Sequence, residues 1–298
     1  MRFLGVAVVV LLLVASGAWA APLQRFFVMG DGTLAVVNAH TGERAEVRYR
    51  KADGTYDQAA IARIRRAFRS SGDDGEGKAS LRLIEVLSWV QKTSRVRPLT
   101  LMSGYRSPDY NEGLRAKGMR AAGGSLHTEG LAADVAFPRA VLRPLWMKVR
   151  ALDCCGAGYY AKEGFLHIDV GKPRFWEPST SRVEENLSAG NARLFARTEF
   201  DRYAKGEEIV VALHAMTVPP VRVGREAQFV VAHQEPASVT LDAGGTPGNS
   251  CVEVDASGAT VRLRGMPGAG RGTLRLATCE PRPERTPTVV ETSVIEVR

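Results

Sequence analysis

The sequence predicts an α+β domain, followed by an all-β, sandwich-like C-terminal domain. In the first half, apolar residues recur at helical spacing in several segments, and short strand patterns lie between them. After Glu207 only short strand patterns remain, separated by Gly, Pro and Asp turns. The 298 residues are 45% hydrophobic and 24% charged, which excludes a collagen-like, coiled-coil or mainly disordered chain.

The first 20 residues have the pattern of a secretory signal peptide. Arg2 precedes an apolar run, and Ala18, Trp19 and Ala20 form an A-x-A cleavage signal. The run is short for a bilayer core, which takes about 20 apolar residues. We therefore expect a periplasmic or secreted protein with no stable membrane span after cleavage. Its mature chain is expected to comprise residues 21–176, a partly helical connector at 177–206, and residues 207–298.

The elements of the first half follow from local patterns. A glycine-bearing connection joins two β-type runs, which predicts a hairpin at 34–37 and 45–49. Apolar spacing predicts helices at 56–68 and 79–92. Further helices are expected at 111–117 and 140–152, and strands at 99–103 and 166–170. Seven strands are predicted in the second half, at 209–213, 227–232, 238–241, 251–254, 260–263, 273–278 and 289–297. Short strands at this spacing are typical of a β-sandwich.

Export implies an oxidising compartment, in which disulfides persist. Cys251 and Cys279 lie in the strand-rich half, and we expect them to form a disulfide that contributes roughly 3.5 kcal/mol. Cys154 and Cys155 are adjacent, so they form either a vicinal disulfide or two thiols.

The chain carries 40 Lys and Arg against 32 Asp and Glu, a formal net charge of +8. Such an excess suits an anionic surface such as cell wall polymer or lipid head groups. No Arg-rich tract interleaved with aromatic residues and no nucleic-acid-binding module is recognisable, so nucleic acid is not an expected partner.

Two imidazoles and one carboxylate form the strongest chemical pattern. His127 and Asp134 lie seven positions apart, with Gly130 allowing a turn between them, and His167 lies on the predicted strand at 166–170. Two His and one carboxylate, with a fourth position left to water, are the ligands of a catalytic zinc site. His127, Asp134 and His167 are therefore the candidate ligands of a Zn²⁺ ion.

Four ordered blocks around these residues resemble a known family. They read SGYRS at 103–107, S-x-H-x-x-G-x-A-x-D at 125–134, GYY at 158–160 and F-x-H-x-D-x-G at 165–171. Together they resemble the M15 zinc D-Ala-D-Ala peptidases, and within them the exported murein endopeptidases. The resemblance covers about residues 34–176. It implies a zinc peptidase fold in which His127, Asp134 and His167 hold the metal on an antiparallel sheet, and a substrate among the stem peptides of peptidoglycan.

The same resemblance implies roles for further residues. Arg106 would stabilise the anion that develops in the transition state. Many relatives carry an acid three residues before the last zinc His, but this chain has Gly164 there. There are two candidate general bases, Asp169 and Glu163, of which Glu163 lies one residue before Gly164. Asp169 could instead orient an imidazole. Apart from the resemblance, Ser125, Tyr159 and Tyr160 are candidates for contact with the substrate. Ser125 could instead shape the turn, and the two tyrosines could instead pack in the core.

The leading hypothesis is a zinc-dependent peptidoglycan peptide hydrolase, an endopeptidase that cuts cross-links between stem peptides. The alternatives are a D,D-carboxypeptidase and a non-catalytic, zinc-containing module that binds the wall. For the C-terminal domain we hypothesise docking to an envelope polymer or a partner protein.

Overall fold

The computed structural model describes residues 24–70, 76–117, 124–180, 189–242, 250–255, 260–263 and 268–298. The predicted signal peptide lies outside these residues. None of the described helices is long and apolar enough to cross a membrane.

Four α-helices belong to the first half of the described chain: α1 Gln58–Ala67, α2 Leu81–Ser94, α3 Pro108–Ala116 and α4 Arg139–Ala151. They confirm the four predicted helices, with ends shifted by a few residues. Side chains cap two of them, because Asp57 accepts a hydrogen bond from the third residue of α1 and Ser80 from that of α2. The predicted apolar faces, including Ile61, Ile64 and Leu83, are fully buried against the sheet.

The first sheet contains β1 Thr33–Asn38, β2 Arg44–Arg48, β3 Leu99–Ser103, β4 Ala132–Ala136, β5 Gly156–Tyr160, β6 Phe165–Asp169 and β7 Arg174–Trp176. Its strand order is β2-β1-β3-β4-β6-β5-β7. The prediction of an antiparallel sheet was only partly right, because β1 pairs β3 and β5 pairs β7 in parallel. The run β3-β4-β6-β5 is antiparallel throughout. Strands β4, β5 and β7 were not predicted; β4 and β5 are rich in Ala and Gly and lack the β-branched signature of strands.

The second sheet contains ten described strands. They are β8 Phe195–Thr198, β9 Arg202–Tyr203, β10 Ile209–His214, β11 Val221–Val231, β12 Ala237–Asp242, β13 Cys251–Val254, β14 Thr260–Leu263, β15 Gly270–Thr278, β16 Val289–Glu291 and β17 Ile295–Val297. The hydrogen-bonded order is β8-β10-β14-β12-β11-β15-β17-β9, with β13 on β11 and β16 on β15. This corrects the predicted sandwich: because β12 pairs both β11 and β14, the described strands form one continuous, curled sheet. The predicted connector also differs, since β8 and β9 lie within it.

The two halves pack against each other. Phe195 and Ala215 of the second half are buried in the apolar cluster of the first. Arg82 of α2 forms a buried ion pair with Asp201 and donates a hydrogen bond to the carbonyl oxygen of Thr198 at 2.9 Å. Contacts of this kind join the two sheets through specific buried groups.

All four cysteines are paired. Cys251 and Cys279 form the expected disulfide, which joins two positions 28 residues apart in the sequence. Cys154 and Cys155 form a vicinal disulfide directly before β5, so the structure selects the first of the two alternatives left open by the sequence.

Candidate metal centre

Three side-chain donors meet on one face of the first sheet. Asp134 of β4 and His167 of β6 are direct cross-strand partners, which places both side chains on the same face. His127 comes from a short 3₁₀-helix, Leu126–Glu129, that precedes β4. The three donor atoms lie within 4.8 Å of one another. The structure thus brings together the three residues that were predicted from the sequence as candidate metal ligands.

Each imidazole is held through the nitrogen that faces away from this meeting point. The Nδ1 of His127 lies 2.7 Å from the carbonyl oxygen of Gly104, which can only accept, so Nδ1 carries the proton. The Nε2 of His167 lies 3.1 Å from Oδ2 of Asp169. The nitrogens that remain, Nε2 of His127 and Nδ1 of His167, both approach Oδ1 of Asp134, at 3.6 and 2.8 Å. Such partners fix the ring orientation of metal-binding histidines.

Asp169 is fully buried, and both of its oxygens are engaged. Oδ1 accepts a hydrogen bond from the backbone N–H of Gly171 at 2.8 Å, and Oδ2 lies 2.7 Å from a guanidinium nitrogen of Arg174. Burial raises the pKa of Asp169, but the charge of Arg174 and the hydrogen bond from His167 lower it to about 2. Gly156 leaves the space for this carboxylate, because a Cβ atom at that position would lie 2.2 Å from Oδ2.

Burial and neighbouring charges shift the pKa values of all three donors. Burial opposes the ionisation of Asp134, yet the imidazoles of His127 and His167 hold the pKa of this carboxyl well below its usual range. Burial likewise opposes a charge on His167, but hydrogen bonds to Asp134 and Asp169 raise its pKa to about 9. Burial lowers the pKa of His127. A divalent ion at this point would be bound by the ionised carboxylate of Asp134 and by neutral imidazoles, because metal binding releases protons from such ligands.

Arg106 lies beside the donors, just after β3. Its Nε donates to the hydroxyl oxygen of Ser103 at 2.9 Å, and its Nη2 lies 3.3 Å from Oδ2 of Asp134. The guanidinium is therefore held at the edge of the donor cluster, and it partly neutralises the carboxylate of Asp134.

Ser125 and Glu163 are two further residues that the sequence analysis singled out. Ser125 is buried at the start of the 3₁₀-helix, where its carbonyl oxygen accepts hydrogen bonds from the backbone and the hydroxyl of Thr128 at 3.0 and 2.7 Å. Glu163 is exposed in the turn between β5 and β6. No hydrogen bond or ion pair among the described residues joins Glu163 to the three donors.

The two adjacent tyrosines of β5 face opposite sides of the sheet. Tyr159 packs against Trp146 of α4, with ring centroids 5.4 Å apart, so it does not lie on the face of the sheet that carries His167. Tyr160 lies on the same face as His167, and its hydroxyl accepts a hydrogen bond from the indole of Trp176 at 3.1 Å. The Trp176 ring lies 5.1 Å from that of His167. Sequence reasoning missed Trp176; the signal for it was Gly158, where a Cβ atom would lie 2.6 Å from the indole.

Comparisons with known proteins agree with this geometry. A family model described as the peptidoglycan L,D-endopeptidase MepK, within the M15 peptidases, matches residues 29–176. The MepK protein of Escherichia coli K12 is 32% identical over 167 residues, which cover 55% of this chain and 91% of the relative. A probable MepK of Haemophilus influenzae is 26% identical over 142 residues, which cover 47% of this chain and 76% of the relative. The chain belongs to the M15 peptidase family.

The family match ends where the first sheet ends. Residues 29–176 include every strand of the first sheet and all four α-helices, together with the three donors, Arg106 and Asp169. The second sheet lies outside the match. In addition to the part it shares with MepK, this M15 peptidase therefore carries the second sheet, strands β8 to β17, which forms a β domain at residues 195–297.

Proposed function

We propose that this M15 peptidase is a zinc-dependent endopeptidase that acts on peptidoglycan peptides in the periplasm or outside the cell. One observation carries the proposal: two imidazoles, each fixed through its outward nitrogen, and one carboxylate converge within 4.8 Å on one face of the first sheet. The relatives add the substrate class and the bond type, because their names describe peptidoglycan L,D-endopeptidases.

The donor set fits zinc in its chemistry. Nε2 of His127, Oδ1 of Asp134 and Nδ1 of His167 would hold the ion, and two nitrogens with one carboxylate oxygen are typical of catalytic zinc sites. A bound zinc ion would supply a Lewis acid and a water molecule whose pKa is lowered to about 7.

The chain's own residues then divide the remaining tasks. Arg106 holds a positive charge at the edge of the centre, where it stabilises the negative charge that develops on the scissile carbonyl oxygen. Asp169 orients His167; its burial and its two engaged oxygens favour this positioning role over that of a general base. Tyr160 and Trp176 form an aromatic wall next to His167, which we propose as a contact surface for the peptide substrate.

The proposal is tested by digesting intact sacculi with the purified full chain while its zinc content is measured. Wild type is expected to carry zinc and to convert cross-linked muropeptides into monomers. The variants His127→Ala and His167→Ala should lose both properties, and His40→Ala, an exposed hairpin position, serves as the control. Shortened stem peptides without new monomers would indicate a carboxypeptidase instead. Sedimentation with sacculi without any product would indicate a binding module, and either result overturns the proposal.

A further inference from the structure

The β domain contacts the short helix that carries His127. Glu129 lies on the same 3₁₀-helix, two residues after His127. Its Oε2 accepts a hydrogen bond from Nδ1 of His214 at 2.6 Å, and its Oε1 accepts one from the backbone N–H of Ala215 at 2.8 Å. Both donors lie at the end of β10. The ring of His214 packs in turn on Phe195, at a centroid distance of 5.3 Å.

A second contact reaches the segment behind His167. Arg197 of β8 is buried, and its Nη1 donates to the carbonyl oxygen of Gly171 at 3.2 Å. The N–H of Gly171 donates to Asp169, which holds the ring of His167. The β domain is thus hydrogen-bonded to both segments that carry the histidines: to the 3₁₀-helix of His127 and to the residues that follow His167 in the chain.

We propose that the β domain is a positioning element for the metal centre, and that Glu129 and His214 form its principal contact. This inference rests on the proposed function. In the 3₁₀-helix no side chain caps the first turn, so the helix relies on tertiary contacts to fix the backbone of His127. A domain that served only to bind polymer through a tether would need no hydrogen bonds to these two segments.

The comparison with MepK sharpens the inference. The Escherichia coli relative is matched over 91% of its length by 55% of this chain, so it is too short to carry an equivalent of the whole β domain. In this chain, the carboxylate of Glu129 has its partners in that additional domain. The two parts are therefore expected to work as one unit.

The test compares two substitutions at one position in the full-length protein. His214→Leu removes the donor to Glu129, whereas His214→Asn keeps an amide N–H near the position of Nδ1. His233→Asn, an exposed position of the β domain, is the control. The readouts are zinc affinity, measured by competition with a chromogenic chelator, the thermal midpoint of unfolding, and kcat and KM on purified muropeptides.

His214→Leu is expected to weaken zinc binding about 10-fold and to lower kcat with little change in KM, in the range seen when partners of metal ligands are removed. His214→Asn should restore zinc affinity to within about twofold of wild type. A second variant, Glu129→Leu, should cost less zinc affinity in the His214→Leu background than in wild type, because the bond to His214 is then already lost and the bond from the N–H of Ala215 is what remains to be removed. Unchanged zinc affinity in His214→Leu, or equal losses in the Leu and Asn variants, would overturn the inference. Zinc affinity is measured without substrate, so the proposed function can fail while this result stands.

Discussion

His167 donates a hydrogen bond from Nε2 to Oδ2 of Asp169 at 3.1 Å, across two positions on the same face of β6. The acceptor is buried and is itself held by Gly171 and Arg174. The second nitrogen of His167, Nδ1, is consequently aimed at Asp134. This relationship separates two roles that residue types alone left open for Asp169, orientation of an imidazole and general base.

The first prediction concerns that pair. Asp169→Asn removes the negative charge and should weaken zinc binding by about 10- to 100-fold, as loss of a partner of a metal ligand does. Glu163→Gln, in the exposed turn, should leave zinc affinity and turnover unchanged. Zinc titration and muropeptide release measure both. If Glu163→Gln abolishes turnover while Asp169→Asn keeps its zinc and its activity, the assignment is reversed.

The second prediction concerns Arg106. Arg106→Ala should lower kcat by about 10²- to 10³-fold while zinc stays bound, because a fixed charge at the developing oxyanion is lost. Arg97→Ala removes an exposed ion pair with Glu46 and should have no effect on turnover. Steady-state kinetics and metal analysis on the same samples decide the matter. Normal turnover in Arg106→Ala would remove this side chain from the mechanism.

The third prediction uses two glycines with opposite surroundings. Gly156→Ala places a methyl group 2.2 Å from Oδ2 of Asp169 and should destabilise the fold by about 1–3 kcal/mol through overpacking. Gly113→Ala lies in α3 with nothing within 4 Å of the new Cβ, and should stabilise the protein by about 0.5–1 kcal/mol. Thermal unfolding midpoints measure both. Equal midpoints for the two variants would show that Asp169 is loosely packed.

The fourth prediction separates the two disulfides. Replacing Cys251 and Cys279 by Ser should cost roughly 3.5 kcal/mol, because the bond closes a loop of 28 residues in the unfolded chain. The pair Cys154 and Cys155 closes almost no loop, so the corresponding double Ser variant should lose much less from chain entropy. Urea unfolding of both double variants tests the difference. A larger loss from the vicinal pair would contradict this reasoning.

The fifth prediction is a pH dependence of the free energy of unfolding, caused by the ion pair between Glu207 of the β domain and Arg25. Burial raises the pKa of Glu207, but hydrogen bonds from Arg25 and the N–H of Ala204 bring it below its usual value. A carboxyl with a lowered folded-state pKa stabilises the fold above its unfolded pKa, and this stability is lost as the pH falls through the folded value. Glu207→Gln should therefore be less stable than wild type near neutral pH, by roughly 0.5–1 kcal/mol.

The measurement for Glu207 is the difference in thermal midpoint between wild type and Glu207→Gln across an acid titration. The difference should shrink towards zero as the pH falls below the usual range for Glu, because wild type then also carries a neutral side chain. Glu235→Gln, at an exposed position, should show no difference at any pH. A gap that persists in acid would show that charge is not its cause.

The local sequence determined much of the first domain. Helices α1 and α2 follow from apolar spacing, and their starts from the caps Asp57 and Ser80, because these signals depend on neighbours within a few positions. The same local signals failed for β4 and β5, which are rich in Ala and Gly; in β5, Gly156 and Gly158 leave the space that Asp169 and Trp176 occupy. They also could not distinguish a sandwich from a single curled sheet, since that choice depends on which strands pair.

By itself, the sequence determined the kinds of donor atom, their order along the chain, the family and the residue pairs able to form disulfides. Only the tertiary structure decided which nitrogen of each imidazole faces Asp134, which of the two β5 tyrosines lies beside them, and that the short helix carrying His127 contacts the β domain. The contact between Glu129 and His214 spans 85 residues. No local pattern encodes such a contact, because it exists only once two separately built cores have packed against each other.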